Sequence, residues 1–192
     1  MGYSLSWLAF KNLPPDIGLA RLGLTPTDRL AEYAREPVSG QPLPDGWFLV
    51  VMKGCEHPLL SESALSVLSA EAEVVACSVE EHVMVSSAEG WANAQRHWRV
   101  EHDAQRSIRH LTTLGTLPAS YADAVRNAQE AQDAEDAGDA AVDFFFEVPL
   151  QLARDVVGFK HDEGMPNVNY KAFQVYDSPS GNSRRKWWQV WK

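Results

Sequence analysis

Residues 73–103 read EVVACSVEEHVMVSSAEGWANAQRHWRVEHD, three short β-patterned runs set close together, and their reading decides the fold. In the first run Val75, Cys77 and Val79 alternate with Val74, Ala76 and Ser78, so both faces are largely apolar. That is the pattern of a strand internal to its sheet. The acidic pair Glu80–Glu81 marks a reversal, and the second run, His82 to Ser87, is expected to return antiparallel. A two-residue turn there would set Val79 opposite His82 and Cys77 opposite Met84, and a single strand bulged at residues 80–82 is the alternative. The third run, His97 to Asp103, alternates Trp98, Val100 and His102 with His97, Arg99, Glu101 and Asp103, which predicts one buried face with Trp98 inward.

Working outward, Tyr3 to Phe10 alternates as a first strand, and Pro14-Pro15-Asp16 opens a short helix that Gly23 closes. Residues 25–46 carry Pro26, Pro37, Gly40, Pro42, Pro44 and Gly46, so this stretch reads as loop with one strand near Leu30 to Ala34. Trp47 to Lys53 reads as a buried strand, and Ser61 to Ser69 as a helix capped by Ser61. Ser107 to Leu114 alternates as a further strand, and Pro118 to Asp136 is an Ala-rich surface helix with an acidic outer face. Asp143 to Val148 is expected to be a short apolar strand or extended segment, and Pro149 to Val157 to form a helix stopped by Gly158. The expected fold is α+β: a mainly antiparallel sheet of about five or six strands with helices packed on it. Trp7, Trp47, Cys77 and Trp98 should be buried in it. Residues 1–163 are assigned to a single domain and residues 164–192 to a basic, Trp-rich C-terminal tail.

The 45% hydrophobic and 22% charged contents are those of a globular chain, and no apolar run is long enough to suggest a membrane span. With no export signal recognised, a cytoplasmic location is expected, and Cys55 and Cys77 are read as plain thiols. The net charge of -9 argues against a general nucleic-acid binder, which needs a basic face. Charge is unevenly placed: residues 1–159 carry 11 basic and 23 acidic side chains, residues 160–192 carry 6 and 3.

The segments SWLAFK, GWFLVVMK, EVVACSVEEHVMVSSAEGW, HWRVEHDAQ and VVGFKHDE resemble an uncharacterised bacterial protein family over residues 1–163. The resemblance implies membership and no activity.

Glu80, Glu81, His82, His102, Asp103, His161 and Asp162 supply the imidazole and carboxylate groups that a metal or an acid/base pair uses. His82 and His102 could lie on one sheet face in adjacent strands, yet no metal-ligand spacing joins these groups, and a polar strand end or a satisfied core histidine is the weightier reading. Cys55-Glu56-His57 pairs a thiol with an imidazole, but without the signature of a known thiol enzyme. No Gly-rich phosphate loop or nucleophile elbow is present, so no cofactor and no metal are assigned. Trp187, Trp188 and Trp191 stand beside Arg184, Arg185 and Lys186, a mixture suited to a partner groove, a nucleic-acid strand, an anionic surface or the chain's own acidic body. The leading expectation is a non-enzymatic cytoplasmic binding or accessory protein of the toxin-neutralising kind, engaging a protein partner, a second copy included, through an acidic surface. The alternative is a small hydrolase or metal-binding enzyme using His82, His102 and nearby carboxylates.

Overall fold

The computed structural model describes residues 2–31, 36–136, 142–163 and 173–178. Its centre is β1 (Ser4–Lys11), paired antiparallel with β4 (Phe48–Lys53) on one side and β5 (Glu73–Glu80) on the other. Beyond β5 come β6 (Val85–Ala92), β7 (Gln95–Asp103) and the short edge strand β8 (Thr112–Gly115). Beyond β4 come β3 (Val38–Pro42), β9 (Phe173–Asp177) and the other edge strand, β2 (Thr25–Ala31). Among the described residues the sheet thus has nine strands in the order β2-β9-β3-β4-β1-β5-β6-β7-β8, with every pair antiparallel.

The α+β class and the antiparallel sheet stand as expected, but five or six strands was too few. The additional strands come from stretches whose prolines and glycines mask their pairing. Pro26 is tolerated because β2 is an edge strand, where a missing N–H costs no ladder bond on the open side. Gly40 belongs to β3 for a steric reason: a Cβ there would meet the Leu49 carbonyl oxygen of β4 at 2.6 Å. Residues 173–177, placed above in the C-terminal segment, form β9 between β2 and β3.

Helices cover both faces. On one side α1 (Pro15–Arg21) and α2 (Glu62–Ser69) pack with Leu8, Phe10, Val50, Met52, Val74 and Ala76. Ser61 caps α2, its Oγ accepting the Ala64 N–H at 3.4 Å. On the other side α4 (Glu147–Val157) sets Phe146, Leu150, Ala153 and Val157 against Trp7, Val51, Val75, Cys77 and Trp98. α3 (Tyr121–Glu135) flanks α4 and shares with it a smaller core of Val100, Ala128, Phe145, Val148 and Leu152. Burial of Trp7, Trp47, Cys77 and Trp98 at 8% exposure or less agrees with the alternation of their strands. Gly158 ends α4 in the left-handed conformation (φ 79°), which spares the penalty a side chain would bring. Among the described residues no helix is long and apolar enough to cross a membrane.

Three local expectations are corrected. The β5–β6 connection spans residues 81–84 rather than 80–81, pairing Glu80 with Val85 and Cys77 with Ala88. Glutamate does not favour the left-handed conformation a tight reversal needs, and Met84 adopts it instead (φ 52°). Residues 107–111 are not strand, so the strand expected over 107–114 begins only at Thr112. Asp143 to Val148 is not extended: the Asp143 carboxylate accepts the Phe146 N–H at 3.1 Å, folding the chain into the start of α4.

Candidate functional site

The imidazoles and carboxylates singled out from the sequence separate into distinct clusters, and each cluster ties elements together. Glu80 accepts from the Ser4 hydroxyl at 2.5 Å and lies 2.6 Å from His82 Nδ1. The Ser4 bond first, and His82 second, hold this carboxyl below its usual range. Glu81 accepts the Tyr3 N–H at 2.7 Å and sits 3.1 Å from His161 Nε2, while its own N–H donates to the Tyr3 carbonyl at 2.9 Å. The buried His161 ring meets Tyr3 edge-on, with centroids 5.1 Å apart, so this cluster locks the chain's start to the segment after α4. Burial raises the Asp162 carboxyl, but Lys160, 3.0 Å away, outweighs it and leaves the group below its ordinary value.

His82 and His102 are not neighbours on one sheet face. His82 belongs to the exposed β5–β6 turn, whereas His102 is fully buried on β7 opposite Ser86. His102 Nδ1 donates to the His110 carbonyl at 2.8 Å, and Nε2 meets Asp143 Oδ2 at 2.8 Å. A carbonyl only accepts, so Nδ1 carries a hydrogen and Nε2 is occupied by the carboxylate. No ring nitrogen is left for a metal or a substrate proton. Asp103 donates its N–H to His110 Nδ1 at 3.1 Å and accepts from Gln105 N–H at 3.0 Å, closing the turn after β7. Among the described residues no group of three or more His, Cys, Asp or Glu side chains is placed to hold a metal ion. Trp187, Trp188 and Trp191 lie outside the described residues.

Cys55 belongs to a hydroxyl chain. Ser6 Oγ donates to the Gly54 carbonyl at 2.9 Å and accepts from His57 N–H at 3.1 Å. Ser78 Oγ accepts from Glu56 N–H at 2.7 Å and lies 3.3 Å from Ser6 Oγ and 3.2 Å from Cys55 Sγ. With Ser6 spending its hydrogen on Gly54, one consistent direction runs from thiol to Ser78 to Ser6 to carbonyl. Burial also pushes the Cys55 thiol up, away from the reactive thiolate. This network holds the turn that carries Cys55 against β1 and β5, and the thiol is not activated within it.

A groove lies between α3 and α4. Its cavity of about 430 Å³ is lined by Ala124, Ala128, Phe144 and Val148 at the floor and by Asp123, Asn127, Gln151 and Asp155 toward solvent. Helical spacing produces this division: positions 124 and 128 on α3, with 144 and 148 at α4, turn small or apolar side chains inward. Asp155 accepts from Gln151 Nε2 at 2.6 Å and, among the described residues, pairs with no cation. Asp123 pairs with the exposed Arg126 at 2.7 Å, and Glu147, also lining the groove, is held by Lys160 at 2.8 Å.

The walls are fixed from beneath. Gln132 of α3, nearly fully buried, donates to the Val142 carbonyl at 3.1 Å and accepts the Phe144 N–H at 3.1 Å. The His102–Asp143 pair fastens the same segment to β7, and Ser86 Oγ donates to the Phe146 carbonyl at 2.7 Å. The acidic face of α3 was legible from its sequence; Glu147, Gln151 and Asp155 as the facing wall were not, although their i, i+4, i+8 spacing on a helix was the available signal. No protein-family model, no curated protein and no solved structure matches this chain.

Proposed function

We propose that the chain is a non-enzymatic binding protein of the bacterial cytoplasm, of the accessory or toxin-neutralising kind. It engages a more basic protein partner through the acidic groove between α3 and α4. The observation that carries the reading is the division of that groove into an apolar floor and a carboxylate rim. An arginine or lysine from a partner lays its aliphatic stem on such a floor and its charged head at the rim. The floor supplies affinity through apolar burial, while the rim supplies register and rejects acidic partners. A net charge of -9 adds long-range attraction for a basic partner. Fixed walls lower the ordering cost of binding, because Gln132, Asp143 and Ser86 hold the groove's shape before a partner arrives.

The test is the affinity of a fluorescent amphipathic Arg/Leu peptide for the protein and two charge-reversed variants. Asp123→Lys combined with Asp155→Lys, both on exposed positions, is expected to weaken binding about tenfold or more, with affinity falling as salt rises. Asp16→Lys with Glu71→Lys, on the opposite helical layer, is expected to change it much less. Equal losses in the two variants would reduce the interaction to unspecific charge attraction and remove the groove from the account.

A further inference from the structure

We infer that the segment this groove takes from its partner is an amphipathic helix, which lies along α3 and α4 as a third member of their layer. The inference rests on the binding reading above and adds the shape and register of the ligand. The groove is lined at helical intervals on both sides: Ser120, Asp123 and Asn127 on or beside α3, and Glu147, Gln151 and Asp155 on α4. Such spacing lines the furrow with a row of side chains from each helix, a shape that another helix fills by setting its own ridge between them. Ala124 and Ala128 keep the floor shallow, so another helix axis comes within the usual packing distance of about 8–10 Å.

Charge sets the register. Glu147 and Asp155 are two helical turns apart, about 12 Å at a rise of 1.5 Å per residue. A helix running alongside meets both with cations seven or eight residues apart on one face. Glu147 already shares Lys160, so the stronger demand for a cation is at Asp155. The apolar residues between the cations, one turn from each, fall over Ala124, Ala128 and Val148. The occupant is therefore a foreign helix with Arg or Lys at i and i+7 or i+8, and medium-sized aliphatic residues at i+3 and i+4.

The experiment compares labelled peptides of about 18 residues, long enough to hold helical structure, by fluorescence anisotropy against the full chain. One carries arginines at i and i+7 with leucines between. A second has the same composition with the arginines on opposite faces, and a third has a central proline. The first is expected to bind about tenfold more tightly than the others, and Asp155→Lys is expected to erase that preference. Equal affinities that all weaken on charge reversal of Asp123 and Asp155 would overturn the helical register and leave the groove reading standing. No binding by any peptide, with no response to reversal, would overturn both. Tighter binding of a peptide matching residues 184–192, RRKWWQVWK, would make the occupant this chain's own segment and overturn the inference of a foreign helix.

Discussion

His102→Ala should lower the stability of the protein by about 3–5 kcal/mol, the cost of opening a cavity in the core and leaving two buried hydrogen-bond partners unmatched. The change leaves the Asp143 carboxylate, 7% exposed, facing a cavity where an imidazole stood. It also strands the His110 carbonyl that His102 Nδ1 satisfied. At roughly 2–4 °C per kcal/mol for a chain of this size, the melting temperature should fall by about 6–20 °C. Removing both partners, in His102→Ala with Asp143→Ala, should cost less than the two single losses added, because the orphaned carboxyl is gone. Thermal denaturation of the four proteins decides this. Additive losses would show that the two side chains contribute separately and that the pair does not fasten the base of α4.

Gly90→Ala should cost about 3 kcal/mol although it adds one methyl group. Gly90 lies opposite Trp98 in the β6–β7 ladder, and a Cβ there would sit 2.0 Å from the indole Nε1 and 2.5 Å from Cε2. The indole is part of the core under α4, so swinging it aside would leave a void in that cluster. Alanine ordinarily gains a few tenths to about 1 kcal/mol over glycine by stiffening the unfolded chain. Here the steric term outweighs that gain. Trp98→Phe in the Gly90→Ala background should return part of the loss, since a smaller ring leaves room for the methyl. Unchanged chemical denaturation of Gly90→Ala would place the Trp98 ring elsewhere.

The centre of the sheet was legible because β1, β4 and β5 bury both faces, and their residues alternate between two apolar cores with little else competing. The flanks were not. β2 and β3 lie in a stretch whose Pro26, Gly40 and Pro42 signal loop, and these residues are accommodated only because of edge position, close backbone approach and strand end. β9 pairs with residues far away in sequence, and local alternation over five residues carries no trace of that partner. The same limit governed the candidate sites. His102 was identified as an inward residue of β7, but its partner Asp143 lies 41 positions on and nothing local joins them. His82 was placed beside His102 through a turn two residues too short. The acidic outer face of α3 was evident from its composition, whereas the groove needs α4 alongside it, and that contact is a product of tertiary packing.

The most direct measurement is the amide NMR spectrum of the full chain titrated with the amphipathic Arg/Leu helix peptide. Shift changes are expected to concentrate on residues 120–128 and 144–155, with Asp155 and Gln151 among the largest, and to leave the α1/α2 face unmoved. Changes spread over the acidic residues of both faces, or centred away from α3 and α4, would contradict the account.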